Sequence, residues 1–168
     1  MKVAFLDRDG TIISDYPDEL WPHASTPEFL AGAIEALQAF QRKGYQLIIV
    51  TNQYLIGEGF MSLAQYAAFS GSMLEVLAEQ GVQILDIFHC PHRRDHDCAC
   101  VKPRPGLVQA ALAKYPSIDL RQSFLLGDSP SDIELAEAVG LRAFSMGFES
   151  KRDGVTKVTS LSDVVAFV

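Results

Sequence analysis

Cysteine is scarce in this sequence and confined to one place: Cys90, Cys98 and Cys100 are the only three among 168 residues. A small, odd, clustered set excludes a disulfide framework and points to metal binding or reactive thiols in a reducing compartment. Basic charge is also short. Lys and Arg number 14 against 21 Asp and Glu, for a net charge of −7, which argues against the basic face that nucleic-acid binding needs. An anionic small molecule stays open, because a local Lys and a metal can outweigh the global charge. No apolar run approaches a membrane span. The stretch after Met1-Lys2 is too short for a signal peptide's apolar region. These absences predict a cytoplasmic chain with no membrane partner. The rest is ordinary for a globular protein, 48% hydrophobic and 21% charged, and it suits one domain over residues 1–168, favoured as a monomer.

Strand-like and helix-like segments alternate along that domain. Strands are expected at Val3–Leu6, Gln46–Val50, Val82–Phe88, Ser123–Leu126 and near Arg142–Ser145. Helices are expected from Pro27 to Lys43, with Thr26 as N-cap, from Ser62 to Gln80, Pro105 to Tyr115 and Ser131 to Val139, and in a short last helix beginning at Ser160 or Ser162. Repeated β-then-α order with β-branched, uninterrupted strands predicts an α/β fold, a parallel sheet covered by helices. Two irregular stretches, Ser14–Ser25 and His89–Pro105, are candidates to cover a site.

Polar clusters follow the predicted strands. Asp7-Arg8-Asp9-Gly10-Thr11 closes the first, and its two carboxylates can share a site only if the chain leaves extended geometry between them, a bend that Gly10 tolerates. Thr51-Asn52-Gln53 closes the second. Lys102 follows the third, and Gly127-Asp128 with Asp132 follows the fourth. In a parallel sheet these ends converge on one edge, where open α/β sheets bind ligands. A hydroxyl, a lysine and several carboxylates in one crevice suit phosphoryl transfer: carboxylates hold Mg²⁺, Lys and Thr bind phosphate, and one Asp can be the nucleophile. Taken singly, the Thr51-Asn52 and Gly127-Asp128 pieces also read as turns or helix caps; their joint, ordered occurrence carries the argument.

Cys90, His92, Cys98 and Cys100 form a C-x-H-x5-C-x-C pattern. Three thiolates and an imidazole match a closed tetrahedral structural Zn²⁺ site. His89 and His96 are substitutes for the imidazole, with His92 preferred on spacing, and His23 is expected at the surface.

With these pieces in place the chain resembles the haloacid-dehalogenase superfamily of Mg²⁺-dependent phosphatases. Asp7 to Thr11 look like its first motif, Thr51-Asn52-Gln53 its second, Lys102-Pro103 its third, and Gly127-Asp128 with Asp132 its fourth. The resemblance implies a three-layer, Rossmann-like parallel sheet with helices on both faces and no large cap domain. It further implies that Asp7 attacks phosphorus and that Asp9 protonates the leaving group and then activates water. Asp7, Asp128 and the main-chain carbonyl of Asp9 would hold Mg²⁺, Thr51 and Lys102 would face the phosphoryl oxygens, and Asp132 would orient Lys102 or a metal-bound water. Asn52, Gln53 and Asp15 fall at substrate-side positions, and Gly10 and Thr11 support the turn.

The zinc loop makes the chain similar to the subgroup that holds D-glycero-D-manno-heptose-1,7-bisphosphate phosphatases and histidinol-phosphate phosphatases. The implied substrate is a small phosphorylated metabolite, a sugar phosphate first and histidinol phosphate second. A DNA 3′-phosphatase and a non-catalytic zinc-stapled binding module are the remaining readings. Three positions depart from the subgroup: Val101 stands where Arg is usual, Tyr54-Leu55 where a small residue and glycine are, and Ile13 where Asn is.

Overall fold

The structure, a computed structural model, describes all residues 1–168. Six strands, β1 (Val3–Leu6), β2 (Gln46–Asn52), β3 (Ile84–Cys90), β4 (Phe124–Gly127), β5 (Arg142–Met146) and β6 (Thr156–Val158), form one sheet in the order β3-β2-β1-β4-β5-β6. Every pairing is parallel. Around the sheet run α1 (Ala33–Arg42), α2 (Tyr54–Gly57), α3 (Leu63–Glu79), α4 (Gly106–Lys114), α5 (Pro130–Val139) and α6 (Leu161–Val164).

Strand side chains alternate between two apolar layers, so each central strand serves both. Ala4 and Leu6 of β1 join Leu47, Ile49, Phe124 and Leu126 against α1, α3 and α6. Val3 and Phe5 join Ile48, Val50 and Leu125 against α4 and α5. The chain leaves β1 toward β2 and β3, then returns to place β4 on the other side of β1. That reversal leaves a crevice at the C-terminal ends of β1 and β4.

Local signals set most element ends. Ser62 and Gln65 form a capping box on α3, Ser129 and Asp132 one on α5, and Gly140 ends α5 in the left-handed conformation at φ 74°. The start of the first helix departs from expectation. Helix α1 begins at Ala33, not Pro27, after a left-handed Gly32, and Thr26 caps nothing. Tertiary pairing overrides the capping signal: Ser14 N–H donates to the Glu28 carbonyl at 2.8 Å and Leu30 N–H to the Ile12 carbonyl at 3.0 Å. These bonds hold Glu28–Leu30 extended beside the turn after β1. Strand β3 also starts and ends two residues later than expected, so that Cys90 is its last residue. The short α2 and the edge strand β6 had no clear sequence signal.

Phe124 packs edge-on against Phe40, Tyr45 and Phe144, with ring centroids 5.3, 5.1 and 5.4 Å away. Phe124→Ala is expected to cost about 3–5 kcal/mol in urea unfolding with an unchanged m-value. A loss under about 1 kcal/mol would mean that the surrounding rings close the cavity.

Candidate active site

The crevice holds a cavity of ≈ 250 Å³ lined by Asp7, Asp9, Asp15, Thr51, Asn52, Gln53, Lys102 and Asp128, with Trp21, Tyr54, Leu55, Ser129 and Ser131 completing it. Each carboxylate arrives for a local reason. Asp7 extends β1 by one bond, its N–H donating to the Leu126 carbonyl at 3.0 Å. The chain then turns tightly, with Ile12 N–H on the Arg8 carbonyl at 2.9 Å and Gly10 at φ 76°, which brings Asp9 to the same cavity as Asp7. Gly10 is required twice over: its φ disfavours any side chain, and a Cβ there would overlap the Asp128 carboxylate. Thr11 is fully buried, and its hydroxyl has no partner.

Lys102 sits at the centre. Its Nζ lies 2.6 Å from Asp7 Oδ1, 2.6 Å from Asp132 Oδ1 and 3.1 Å from the Val50 carbonyl. Burial works against its charge, but Asp7 and Asp132 outweigh burial and raise its pKa. Asn52 fixes the lysine's backbone, accepting from Lys102 N–H at 2.9 Å and donating to its carbonyl at 3.3 Å. Asp132 is oriented in turn by Ser129, whose hydroxyl donates to it at 2.6 Å. A Cβ at Gly127 would strike the Asp132 side chain, so that position must also be glycine.

Gln53 faces inward. Its amide donates to Asp9 Oδ2 at 2.7 Å and to Thr51 Oγ1 at 2.8 Å. Arg8, only 1% exposed, had not been singled out from the sequence. Its guanidinium grips Asp9 through Nε at 2.7 Å and Nη2 at 2.9 Å. The signal was a cation flanked by two carboxylates at a strand end. Trp21 also escaped sequence reasoning, and Tyr54 had been noted only as a departure from the subgroup. Trp21 donates its indole N–H to Asp15 at 3.2 Å, and Tyr54 its hydroxyl to Asp18 at 2.8 Å.

Carboxylate oxygens of Asp7, Asp128 and Asp132 lie within 4.8 Å of one another and could hold a metal ion. Burial, reinforced by Asp132, pushes the Asp128 carboxyl up to about 6. Burial also raises Asp7, with Asp132 and Asp9 adding to it and Lys102 opposing. Around Lys102 four carboxylates (Asp7, Asp9, Asp128, Asp132) meet two cations, Arg8 and Lys102. An all-oxygen donor set with two uncompensated charges fits a hard divalent cation.

Cys90, His92, Cys98 and Cys100 of the cysteine loop converge and could hold a metal ion. Cys90 Sγ lies 3.6 Å from Cys98 Sγ and 3.2 Å from Cys100 Sγ, and His92 Nδ1 lies 3.2 Å from Cys100 Sγ. A tetrahedral ion with ~2.3 Å metal–sulfur bonds needs sulfur–sulfur edges of about 3.8 Å, close to these. All three thiols are free. Without a cation, burial pushes the Cys90 thiol up to about 12. His96 stacks on His92 at 4.8 Å and His89 tilts over Tyr66 at 4.5 Å; neither joins the cluster. His23 is exposed. Arg94 ties the loop to the cavity wall: it lies 3.6 Å over the Tyr54 ring and pairs with Asp18 at 2.7 Å and Glu58 at 3.2 Å.

A parallel sheet with this aspartate–lysine centre at its switch point defines a phosphatase of the haloacid-dehalogenase type. Residues 2–161 match the family described as polynucleotide kinase 3 phosphatase, and the chain belongs to that family. It is 41% identical over 148 residues to D-glycero-alpha-D-manno-heptose-1,7-bisphosphate 7-phosphatase of Photorhabdus laumondii, covering 84% of this chain and 79% of the relative. It is 33% identical over 175 residues to the beta-heptose counterpart of Pseudomonas putida, covering 100% and 97%. The crystal structure of D,D-heptose 1,7-bisphosphate phosphatase from B. bronchiseptica, complexed with magnesium and phosphate, superposes with TM-score 0.88 at 26% identity, covering 99% of this chain and 97% of that one.

Lys102→Met leaves Asp7 and Asp132 buried without their cation. It should cost about 3–5 kcal/mol near pH 8. With Lys102 no longer opposing burial at Asp7, folding favours that carboxyl's protonated form and the deficit shrinks as pH falls. Urea unfolding at pH 8 and pH 5 checks this; equal losses at both would place the damage in packing.

Proposed function

We propose that this chain is a cytoplasmic, Mg²⁺-dependent phosphomonoesterase acting through an aspartyl-phosphate, with a sugar phosphate such as D-glycero-D-manno-heptose 1,7-bisphosphate as substrate. The single observation that carries the chemistry is the Lys102 ammonium bridging Asp7 and Asp132 at 2.6 Å each, beside Thr51 and Asp128. The substrate reading rests on relatives named as heptose bisphosphate phosphatases at 33–41% identity.

Lys102 engages Asp7 Oδ1, so Oδ2 is the oxygen left for attack on phosphorus. As the P–O ester bond breaks, Asp9 gives its proton to the departing alcohol oxygen. Water then attacks the phosphorus of the aspartyl-phosphate, the P–O bond to Asp7 breaks, and Asp9 takes the water's proton. Thr51 and Lys102 face the phosphoryl oxygens, and Asp132 and Asn52 keep Lys102 in place. Mg²⁺ would be held by Asp7, Asp128 and the Asp9 carbonyl and would neutralise charge on the transferring group. Asp15, beside Trp21, is a substrate hydroxyl acceptor at the cavity's outer wall. Cys90, His92, Cys98 and Cys100 would hold a structural Zn²⁺, which would stiffen the loop that delivers Lys102. The protein acts as a monomer, with neither membrane nor nucleic acid as partner.

A second reading, a polynucleotide 3′-phosphatase, is favoured by the family's description. The net charge of −7 weighs against a nucleic-acid track.

Phosphate release with Mg²⁺ across heptose bisphosphate, histidinol phosphate, other sugar phosphates and a 3′-phosphorylated oligonucleotide tests both. The expected winner is the heptose substrate, with kcat/KM near or above about 10⁴ M⁻¹s⁻¹. EDTA and Asp7→Asn should abolish turnover, and Asp9→Asn should cost about 10²–10⁴-fold. A win for the oligonucleotide overturns the sugar reading, and no turnover anywhere restores the binding module. Separately, verified zinc removal should lower the Tm by several degrees, at about 2–4 °C per kcal/mol; an unchanged melt would sink the structural role.

A further inference from the structure

Arg8 is the largest side chain buried to this degree, and taking a guanidinium out of water is costly unless it is fully paired. Trp21, Tyr66 and Phe69 enclose it, with ring centroids 5.2, 5.3 and 5.4 Å from Cζ. Its one polar contact on the α3 side, with Ser70 Oγ, is long at 3.5 Å. Its short contacts all point toward the cavity. They are the fork on Asp9 and a 3.0 Å bond from Nη2 to Gln53 Oε1. Because guanidinium nitrogens only donate, that last bond fixes which end of Gln53 is oxygen, and so which end donates to Asp9 and Thr51.

The Asp9 carboxylate thus accepts from three N–H groups: Arg8 Nε on Oδ1, and Arg8 Nη2 and Gln53 Nε2 on Oδ2. These three bonds hold the carboxylate in one orientation at the cavity that Asp7, Thr51 and Lys102 also line.

We propose that Arg8 is a positioning residue for Asp9, presenting its carboxylate as the base for breakdown of the covalent intermediate. The inference rests on the aspartyl-phosphate reading above. In the step concerned, the water oxygen bonds to phosphorus while the P–O bond to Asp7 breaks and its electron pair returns to the Asp7 carboxylate. The water's proton passes to Asp9, and inorganic phosphate leaves. Arg8 contacts neither phosphate nor water in this step; it acts through Asp9, whose carboxylate it holds in direction.

The test uses p-nitrophenyl phosphate, whose leaving group departs without a proton, so the first half-reaction does not need Asp9. In Arg8→Lys, which keeps charge and stem but loses the fork, and in Arg8→Gln, kcat should fall about 10-fold or more, within the range of acid–base contributions. Meanwhile kcat/KM should stay within about threefold, because it reports the first half-reaction. Rapid mixing should show a p-nitrophenol burst approaching one equivalent per active site, larger than in wild type, with slow steady release after it. Equal falls in kcat and kcat/KM without a burst overturn the proposal, as do wild-type kinetics in both variants. Failure of both to fold, judged by circular dichroism, also overturns it and makes Arg8 a structural element. If the wild-type protein turns over no phosphomonoester, it is the phosphatase reading that has failed.

Discussion

The interaction on which the rest of the site depends is the buried ammonium of Lys102, shared between Asp7 and Asp132 and capped by the Val50 carbonyl. It links the ends of β1, β2 and α5, elements far apart in sequence. Two carboxyls this close in a buried crevice cannot both stay charged without a cation between them. The supporting contacts serve that placement: Asn52 holds the lysine's backbone, Ser129 turns Asp132, and Gly127 leaves room for the Asp132 side chain.

Lys102 does not balance the crevice fully, and that imbalance gives the site its character. Burial lifts the carboxyls of Asp7 and Asp128, the latter to about 6, with Asp132 adding to both, and a divalent cation would offset that cost. Arg8 does the same for Asp9 from behind, with a delocalised cation that aromatic faces can shelter where a compact ammonium could not be. The cysteine loop belongs to the same design. Glycines at 57 and 106 let its backbone pack directly against theirs, and Arg94 ties it to Asp18 and Glu58 across the cavity's rim.

Much of this was legible beforehand where the signal is local. Uninterrupted apolar runs marked β1, β2 and β4, because a strand buried on both faces has no polar alternation to blur it. The polar clusters closing those strands announced the site, and the cysteine spacing announced the loop. Where a partner distant in sequence decides, the local signal misled. Thr26-Pro27 reads as a helix start, yet residues 28–30 pair with the segment after β1 and stay extended. Strand β6 has only Thr156–Val158 and exists because β5 offers it an edge.

What the sequence by itself determined is the chemistry: which carboxylates, lysine, hydroxyl and thiols are present, and that each follows a strand in an order that a parallel sheet must bring to one edge. Only the tertiary structure decided how they are joined. Arg8, between two aspartates, could have faced solvent; three aromatic side chains from the 21–23 turn and α3 close over it and turn it onto Asp9. Asn52 and Gln53 look alike as strand-end amides, but one clamps the Lys102 backbone and the other bridges Asp9 to Thr51. The physical reason is that side-chain type fixes what a group can donate or accept, whereas its partner is fixed by packing between elements that sequence distance does not reveal.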